Sequence, residues 1–359
     1  MRNNFKILTI CRQPLRNVQY AVRAYNLYKH LERMGCRMTY LDGWKPSFGL
    51  NLKNSSNWIK LFLFRMKATK NSFVFVEDVQ SSVFAKILKK MEFSLILDVR
   101  DDLNLHAEAM GIKVPYSGYL ERELAQVVWF EAAQRILVTS QSYLDYYSQK
   151  YQGQFDQKLI PILNASDPAW FQNEPLPQGP RIGILGGANL NAGFDLLCEA
   201  SKIVKKEVPD LSLHIGYKYL PETKPYVESL RRDYNESWMH FYEDIDYDKN
   251  ANEFYSSLYL CIIPLKKLKH YELTIPCRLF DAMASARPLV VTNCKEQARV
   301  VTEENCGLVC EFTPEDMAEK ILILLRNRSL AQKQGQSGRR AIEEQHSWLH
   351  RAQKIIKNI

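Results

Sequence analysis

Residues 261–292, CIIPLKKLKHYELTIPCRLFDAMASARPLVVT, constrain this chain more than any other stretch. They read as buried strand, basic loop, short helix and second buried strand. Cys261–Pro264 is an unbroken apolar run, the pattern of a parallel strand covered on both faces. Lys266, Lys267, Lys269 and His270 follow at once. Thr274 reads as a helix cap and, past Ile275, Pro276 as a first-turn residue, where a missing N–H costs nothing. Leu279, Phe280, Ala282, Met283 and Ala284 supply the packing face, Pro288 blocks continuation, and Leu289–Thr292 is the next strand. A helix N-terminus beside cations, at the carboxyl end of a parallel strand, is a seat for a phosphate.

The rest of the chain repeats the same alternation. Phe5–Cys11, Val18–Met34 and Arg37–Leu41 form a βαβ opening, and Ser72–Val76, Ser94–Val99 and Arg135–Thr139 continue it as an α/β doubly wound parallel sheet. The loop after the first strand offers Arg12, Arg16 and Asn17 to a phosphate or an acceptor. The strand at 94–99 runs into Arg100, Asp101 and Asp102, with His106 close behind. Charge crowded at a strand's carboxyl end is where α/β sites form, so Arg100, Asp101 and His106 are catalytic or acceptor-side candidates. Asp102 reads equally well as a helix cap. Five breakers, Pro168, Pro175, Pro177, Gly179 and Pro180, then mark a linker. Arg181–Leu185 restarts the pattern, and Gly186-Gly187-Ala188 reads as a turn whose backbone N–H groups can approach a diphosphate. Lys218 follows the strand Leu211–Gly216. These breaks divide the chain into residues 1–165, a linker at 166–180, a second domain at 181–335, and a helical tail at 336–359 that packs back towards the first domain.

Charge is unevenly spread. Residues 1–90 hold 17 Lys and Arg against 4 Asp and Glu, while the whole chain carries only +8. The first half-domain therefore implies an anionic partner. Residues 58–70, WIKLFLFRMKATK, read as a helix with Ile59, Phe62, Leu63 and Met66 as its core stripe. Leu61 and Phe64 then fall among Lys60, Arg65 and Lys67, an arrangement suited to an anionic membrane surface or a lipid-linked acceptor. No apolar run approaches a bilayer span, and the N-terminus lacks a signal-peptide core, so the expected location is cytoplasmic, at the inner face of a membrane. Nucleic acid is not expected, because no reading helix or stacking-aromatic motif accompanies the charge. The eight cysteines sit in apolar segments without a Cys-x-x-Cys and read as reduced and buried. Asp244-x-Asp246-x-Asp248 lacks the Gly and Glu that a calcium loop needs at its sixth and twelfth positions. No metal site is expected.

The string PCRLFDAMASARPLVVT resembles the donor segment of retaining family-4 glycosyltransferases, where a Pro-x-Lys/Arg, Glu, Met-Ala and Pro pattern holds a nucleotide-sugar. Pro276, Arg278, Asp281, Met283, Ala284 and Pro288 fall on that pattern. The resemblance implies the GT-B fold, with two Rossmann-like domains facing a central cleft and the donor in the second. It implies metal-independent transfer of a sugar from a nucleoside-diphosphate-sugar, as co-substrate, to a hydroxyl acceptor such as a lipid-linked or cell-surface glycan. The donor residues would be Gly186, Gly187, Lys218, Lys266, Glu272, Thr274, Ile275, Pro276, Arg278 and Asp281, with Asp281 accepting from the ribose. Three departures stand out. Arg16-Asn17 replaces a glycine pair, Glu272 is one residue out of register with the family's first Glu, and Asn189, Asn191 and Ala192 replace the usual Arg and Lys after the glycines. The last two support an alternative, a catalytically silent relative acting as a partner or scaffold subunit.

Overall fold

The computed structural model describes residues 5–11, 18–42, 52–218, 221–243, 245 and 247–359. Arg12, Arg16 and Asn17, and Asp244 and Asp246 of the acidic loop, lie outside the described residues. Contacts divide the chain into two units. The first is Met1–His106, Lys113–Leu163 and Trp348–Ile359; the second is Ala107–Ile112 and Asn164–Ser347. The break thus comes at Leu163, and only the final helix of the tail, Trp348–Asn358, joins the first unit, on helix Val18–Arg33. A π-turn at Ile342–His346 interrupts the tail that the sequence reads as one helical run.

The first unit is a six-stranded parallel sheet of β1 (Lys6–Cys11), β2 (Arg37–Asp42), β3 (Ser72–Glu77), β4 (Ser94–Val99), β5 (Arg135–Val138) and β6 (Leu159–Pro161), in the order β2-β1-β3-β4-β5-β6. β3 is buried along its whole length, as a strand covered on both faces must be. The C-terminal ends of its strands carry buried charge. Arg23 grips Asp98 through both carboxylate oxygens, at 2.8 to 3.2 Å, and reaches the Leu163 carbonyl at 3.2 Å. Both side chains are fully enclosed.

One expectation is reversed here. Helix Leu52–Met66 turns Ile59, Phe62, Leu63 and Met66 outwards, with Met66 70% exposed, and buries Asn57 and Leu61. Trp58 packs edge-on against Phe84, Phe64 sits against Phe93, and Arg65 donates to the Met91 carbonyl. Apolar residues occupy two sides of this helix, so periodicity alone cannot choose the buried one. The aromatic partners Phe84, on helix Ser82–Lys90, and Phe93, just beyond it, make the choice. No helix among the described residues is long and apolar enough to cross a membrane.

The second unit is another six-stranded parallel sheet of β7 (Arg181–Gly187), β8 (Ser212–Lys218), β9 (Met239–Glu243), β10 (Leu260–Ile263), β11 (Leu289–Thr292) and β12 (Gly307–Cys310), ordered β12-β11-β10-β7-β8-β9. Helix Phe194–Glu207 follows β7, and Thr313 caps helix Pro314–Arg326 by accepting from the Asp316 N–H. The two helices pack together over Leu197, Val204, Met317 and Ile321. None of the eight cysteines, all among the described residues, forms a disulfide, and seven of them are buried.

Candidate functional site

The strand order of the second unit places a switch point between β7 and β10. From β7 the chain winds one way through β8 and β9, then returns to β7's other side as β10. Loops leaving two such neighbours diverge, and the crevice at their carboxyl ends is where open α/β sheets bind ligands. Residues 188–193 leave β7 there, and residues 264–276 leave β10.

The two loops are stapled together. The Lys266 N–H donates to the Asn191 carbonyl at 3.2 Å, and the Tyr271 hydroxyl donates to Asn189 Oδ1 at 3.1 Å. Gly193 has φ +75°, and a Cβ there would run into the Pro264 carbonyl. Only glycine meets both demands. Asn191 Nδ2 also donates to the Ala109 carbonyl at 2.9 Å. The two asparagines that stand where the resembled family has cations are therefore used to shape the loop. The sequence marks Asn189 only as a departure from the family's cations and does not single out Tyr271; an Asn-x-Asn after paired glycines is the available signal of a self-bonded turn.

Beyond β10 the structure corrects the reading of the basic stretch. Lys269–Leu273 is a separate short helix that buries His270, and Thr274 ends it rather than capping the next. The following helix is Cys277–Ala284, with Pro276 at the N-cap position and no side-chain cap. Proline's fixed φ suits that position, and the first-turn N–H groups stay unsatisfied by any capping side chain. Ile275 is buried, and its carbonyl accepts from Asn164 Nδ2 at 2.8 Å. Gly186 and Gly187 are the last two residues of β7, not a turn.

Arg278 is the centre of this arrangement. A Cβ on Gly186 would fall inside contact distance of Arg278 Nη1, Cδ and Cζ, so the guanidinium passes directly over the glycine. Its Nε is buried without a hydrogen-bond partner, and the side chain makes no ion pair with any described residue. Burial lowers its pKa, while Tyr271, Tyr255 and Cys277 act weakly the other way. An arginine stays charged regardless. A half-buried cation beside an uncapped helix N-terminus is an arrangement that suits an anion. Lys266 and Lys267 are exposed on the adjoining loop, and Lys218, at the end of β8, accepts the Ala188 N–H through its carbonyl at 2.7 Å.

The two acidic candidates are partly engaged. Glu272 Oε2 accepts from the Lys295 N–H at 3.2 Å, at the start of helix Lys295–Glu303, and its Oε1 is buried with no hydrogen bond. Asp281 is buried, and its Oδ1 accepts from Ser166 Oγ at 2.7 Å.

In the first unit the charged end of β4 is a network. Arg100 pairs with Asp78 and, at 3.2 Å, with Glu77. Burial works to lower the Arg100 pKa, but the carboxylates of Asp78 and Glu77 outweigh it and the net direction is well upward. Asp78 holds φ +59°, a strained setting for a non-glycine residue, and also accepts the Arg100 N–H. Asp102 caps helix Leu103–Ala109 through the Asn104 and Leu105 N–H groups and pairs with Lys150 at 3.1 Å. Asp101 and His106 are both partly exposed, with His106 Nδ1 4.0 Å from Asp101 Oδ2.

Residues 179–327 match the family model for glycosyl transferases group 1. No curated protein sequence matches this chain. Among solved structures it is similar to sucrose-phosphate synthase from Thermosynechococcus elongatus, at 14% identity and TM-score 0.73, covering 98% of this chain and 97% of that one. It is similar to HepE from Anabaena, solved with UDP and glucose, at 12% identity and TM-score 0.72, covering 99% of each chain. WaaG, a glycosyltransferase of lipopolysaccharide biosynthesis, gives 14% identity and TM-score 0.68, over 98% of this chain and 99% of that one. At these identities the likeness establishes the fold: the chain has the GT-B fold of glycosyltransferases.

Proposed function

We propose that this chain, whose second unit carries the group 1 glycosyl transferase match, moves a sugar from a nucleoside-diphosphate-sugar to a hydroxyl acceptor. In this reading the transfer retains anomeric configuration and needs no metal ion. The observation that carries it is Arg278, a half-buried guanidinium whose Nε is buried without a hydrogen-bond partner among the described residues, laid over Gly186 beside an uncapped helix N-terminus. The departing diphosphate gains negative charge as the sugar becomes oxocarbenium-like. Arg278, the N–H groups of Cys277 and Arg278, and Lys266 meet that charge with no proton having to move. Gly187 lets the diphosphate approach the strand end, and Lys218 extends the positive rim. Glu272 and Asp281 are the acceptors for ribose hydroxyls, and Asp281 must then share the bond it makes to Ser166. Asp101 and His106 serve the acceptor hydroxyl, with Arg100 fixing the loop that carries them. The HepE structure with UDP and glucose supports a uridine nucleotide as the first donor to try.

Purified protein given UDP-, GDP- or ADP-sugars without acceptor should slowly release one nucleoside diphosphate, at a rate unchanged by EDTA. Release from none of them favours a catalytically silent GT-B relative acting as a partner subunit. The asparagines spent on bracing residues 188–193 are the specific support for that second reading.

The acceptor in this proposal is a lipid-linked or cell-surface glycan met at an anionic membrane. Residues 43–76 contain no acidic residue. Lys60 and Lys67 are exposed and flank the outward stripe Ile59, Phe62, Leu63 and Met66, which is the composition of an interfacial helix. The protein should float with liposomes containing phosphatidylglycerol and not with pure phosphatidylcholine. At about 1 kcal/mol per lysine, Lys60→Gln with Lys67→Gln should weaken binding roughly 30-fold. Equal flotation with both lipids, insensitive to salt, would remove the membrane from the account.

A further inference from the structure

We propose that the first unit contains a sugar-binding cleft of its own, built by residues 79–82 and the opening turns of helix Tyr116–Ala132. The cleft has a volume of about 530 Å³, within the range of small-molecule sites. It opens where loops leave the carboxyl ends of β3 and β4, the edge at which parallel sheets collect ligands. Val79 and Leu103 give it an apolar side, and Gln80, Glu121 and Arg122 give it a polar one.

The polar side is unsatisfied in both senses. The main chain of Gln80 is held by Trp129, whose Nε1 donates to its carbonyl at 2.9 Å. Its side-chain Oε1 is nevertheless buried with no hydrogen bond, a state that costs about 1–3 kcal/mol unless a ligand donates. Arg122 is oriented by one bond, from Nη1 to the Leu103 carbonyl at 3.0 Å, and its remaining donors meet no described residue. The exposed Glu121 makes no ion pair with a described residue.

This mixture selects the ligand's chemistry. A phosphate would suit Arg122 but not Gln80 Oε1 or Glu121; an amine would suit those two but not Arg122. Neighbouring hydroxyls both donate and accept, and a pyranose adds an apolar C–H face for Val79 and Leu103.

Gly118 deepens the cleft. It sits in the first turn of a helix, where glycine is a poorer helix former than alanine. Nothing in its surroundings demands the glycine: a Cβ would meet Val114 Cγ1 at 3.4 Å and Pro115 Cδ at 4.0 Å, both ordinary contacts. The missing side chain leaves space in the cleft wall. Naming the ligand a sugar rests in part on the glycosyl-transfer reading; the cleft does not.

The test is saturation-transfer NMR on the full chain, with the methyl glycosides of glucose, galactose, mannose and N-acetylglucosamine. At least one should receive saturation at its ring protons. Gln80→Met and Glu121→Ala should each weaken it at least tenfold, and Gly118→Phe should abolish it. Saturation absent from all four glycosides, or unchanged in all three variants, would overturn the proposal. UDP titrated into the same samples reports the other unit. Glycoside binding without UDP binding would keep the cleft and sink the transferase reading, and UDP binding without glycoside binding would do the reverse.

Discussion

Replacing Arg278 with Met should weaken UDP binding by about a hundredfold and leave the ligand-free protein at least as stable as before. A guanidinium bonded to a diphosphate contributes about 1.5–3 kcal/mol through charge-assisted hydrogen bonds. The same group without ligand is a half-buried cation whose Nε is shut off from water with no hydrogen-bond partner. Methionine keeps most of the unbranched stem over Gly186 and removes the uncompensated charge. Loss of binding with no loss of stability separates a ligand group from a structural one, since structural arginines behave oppositely. Calorimetry with UDP and a thermal melt of the same sample read both. Unchanged UDP affinity would show that the anion seat lies elsewhere.

Replacing Asp98 with Ala should destabilise the first unit by about 3–5 kcal/mol, because it strands Arg23 without its enclosed partner. Arg351 adds to the effect. Burial, and then the charge of Arg23, already lower its pKa to about 10, so removing Asp98 leaves two arginines facing one another. The expected drop in Tm is roughly 10 °C. An Arg23→Met, Asp98→Leu double variant should recover much of it, since an apolar pair can replace a buried ion pair. A single variant that melts with the wild type would contradict the assignment of this pair to the unit's framework.

Much of the fold was legible because it rests on local patterns. Unbroken apolar runs such as Leu260–Ile263 announce doubly covered parallel strands, and Thr313-Pro314-Glu315-Asp316 announces a helix start by cap, proline and dipole. What escaped depends on which distant segments meet. Helix Leu52–Met66 is apolar on two sides, and its buried face is chosen by Phe84 and Phe93, some 20–30 residues further on. Thr274 is a good cap by residue type, yet Lys269–Leu273 coils first and consumes it. Arg278 was visible as one position in a motif. Its want of a partner was not, because that follows from β10 lying beside β7 and bringing Gly186 beneath it. The bond from Ser166 to Asp281 spans 115 residues and leaves no trace in spacing.

In the proposed reaction the switch point between β7 and β10 holds a nucleoside diphosphate. Hydrogen exchange followed by mass spectrometry, with and without saturating UDP, tests it most directly. Slowed exchange is expected in the second unit at residues 186–193 and 266–281, with loss of that protection in Arg278→Met. Protection confined to other segments, or equal protection in the variant, would contradict it.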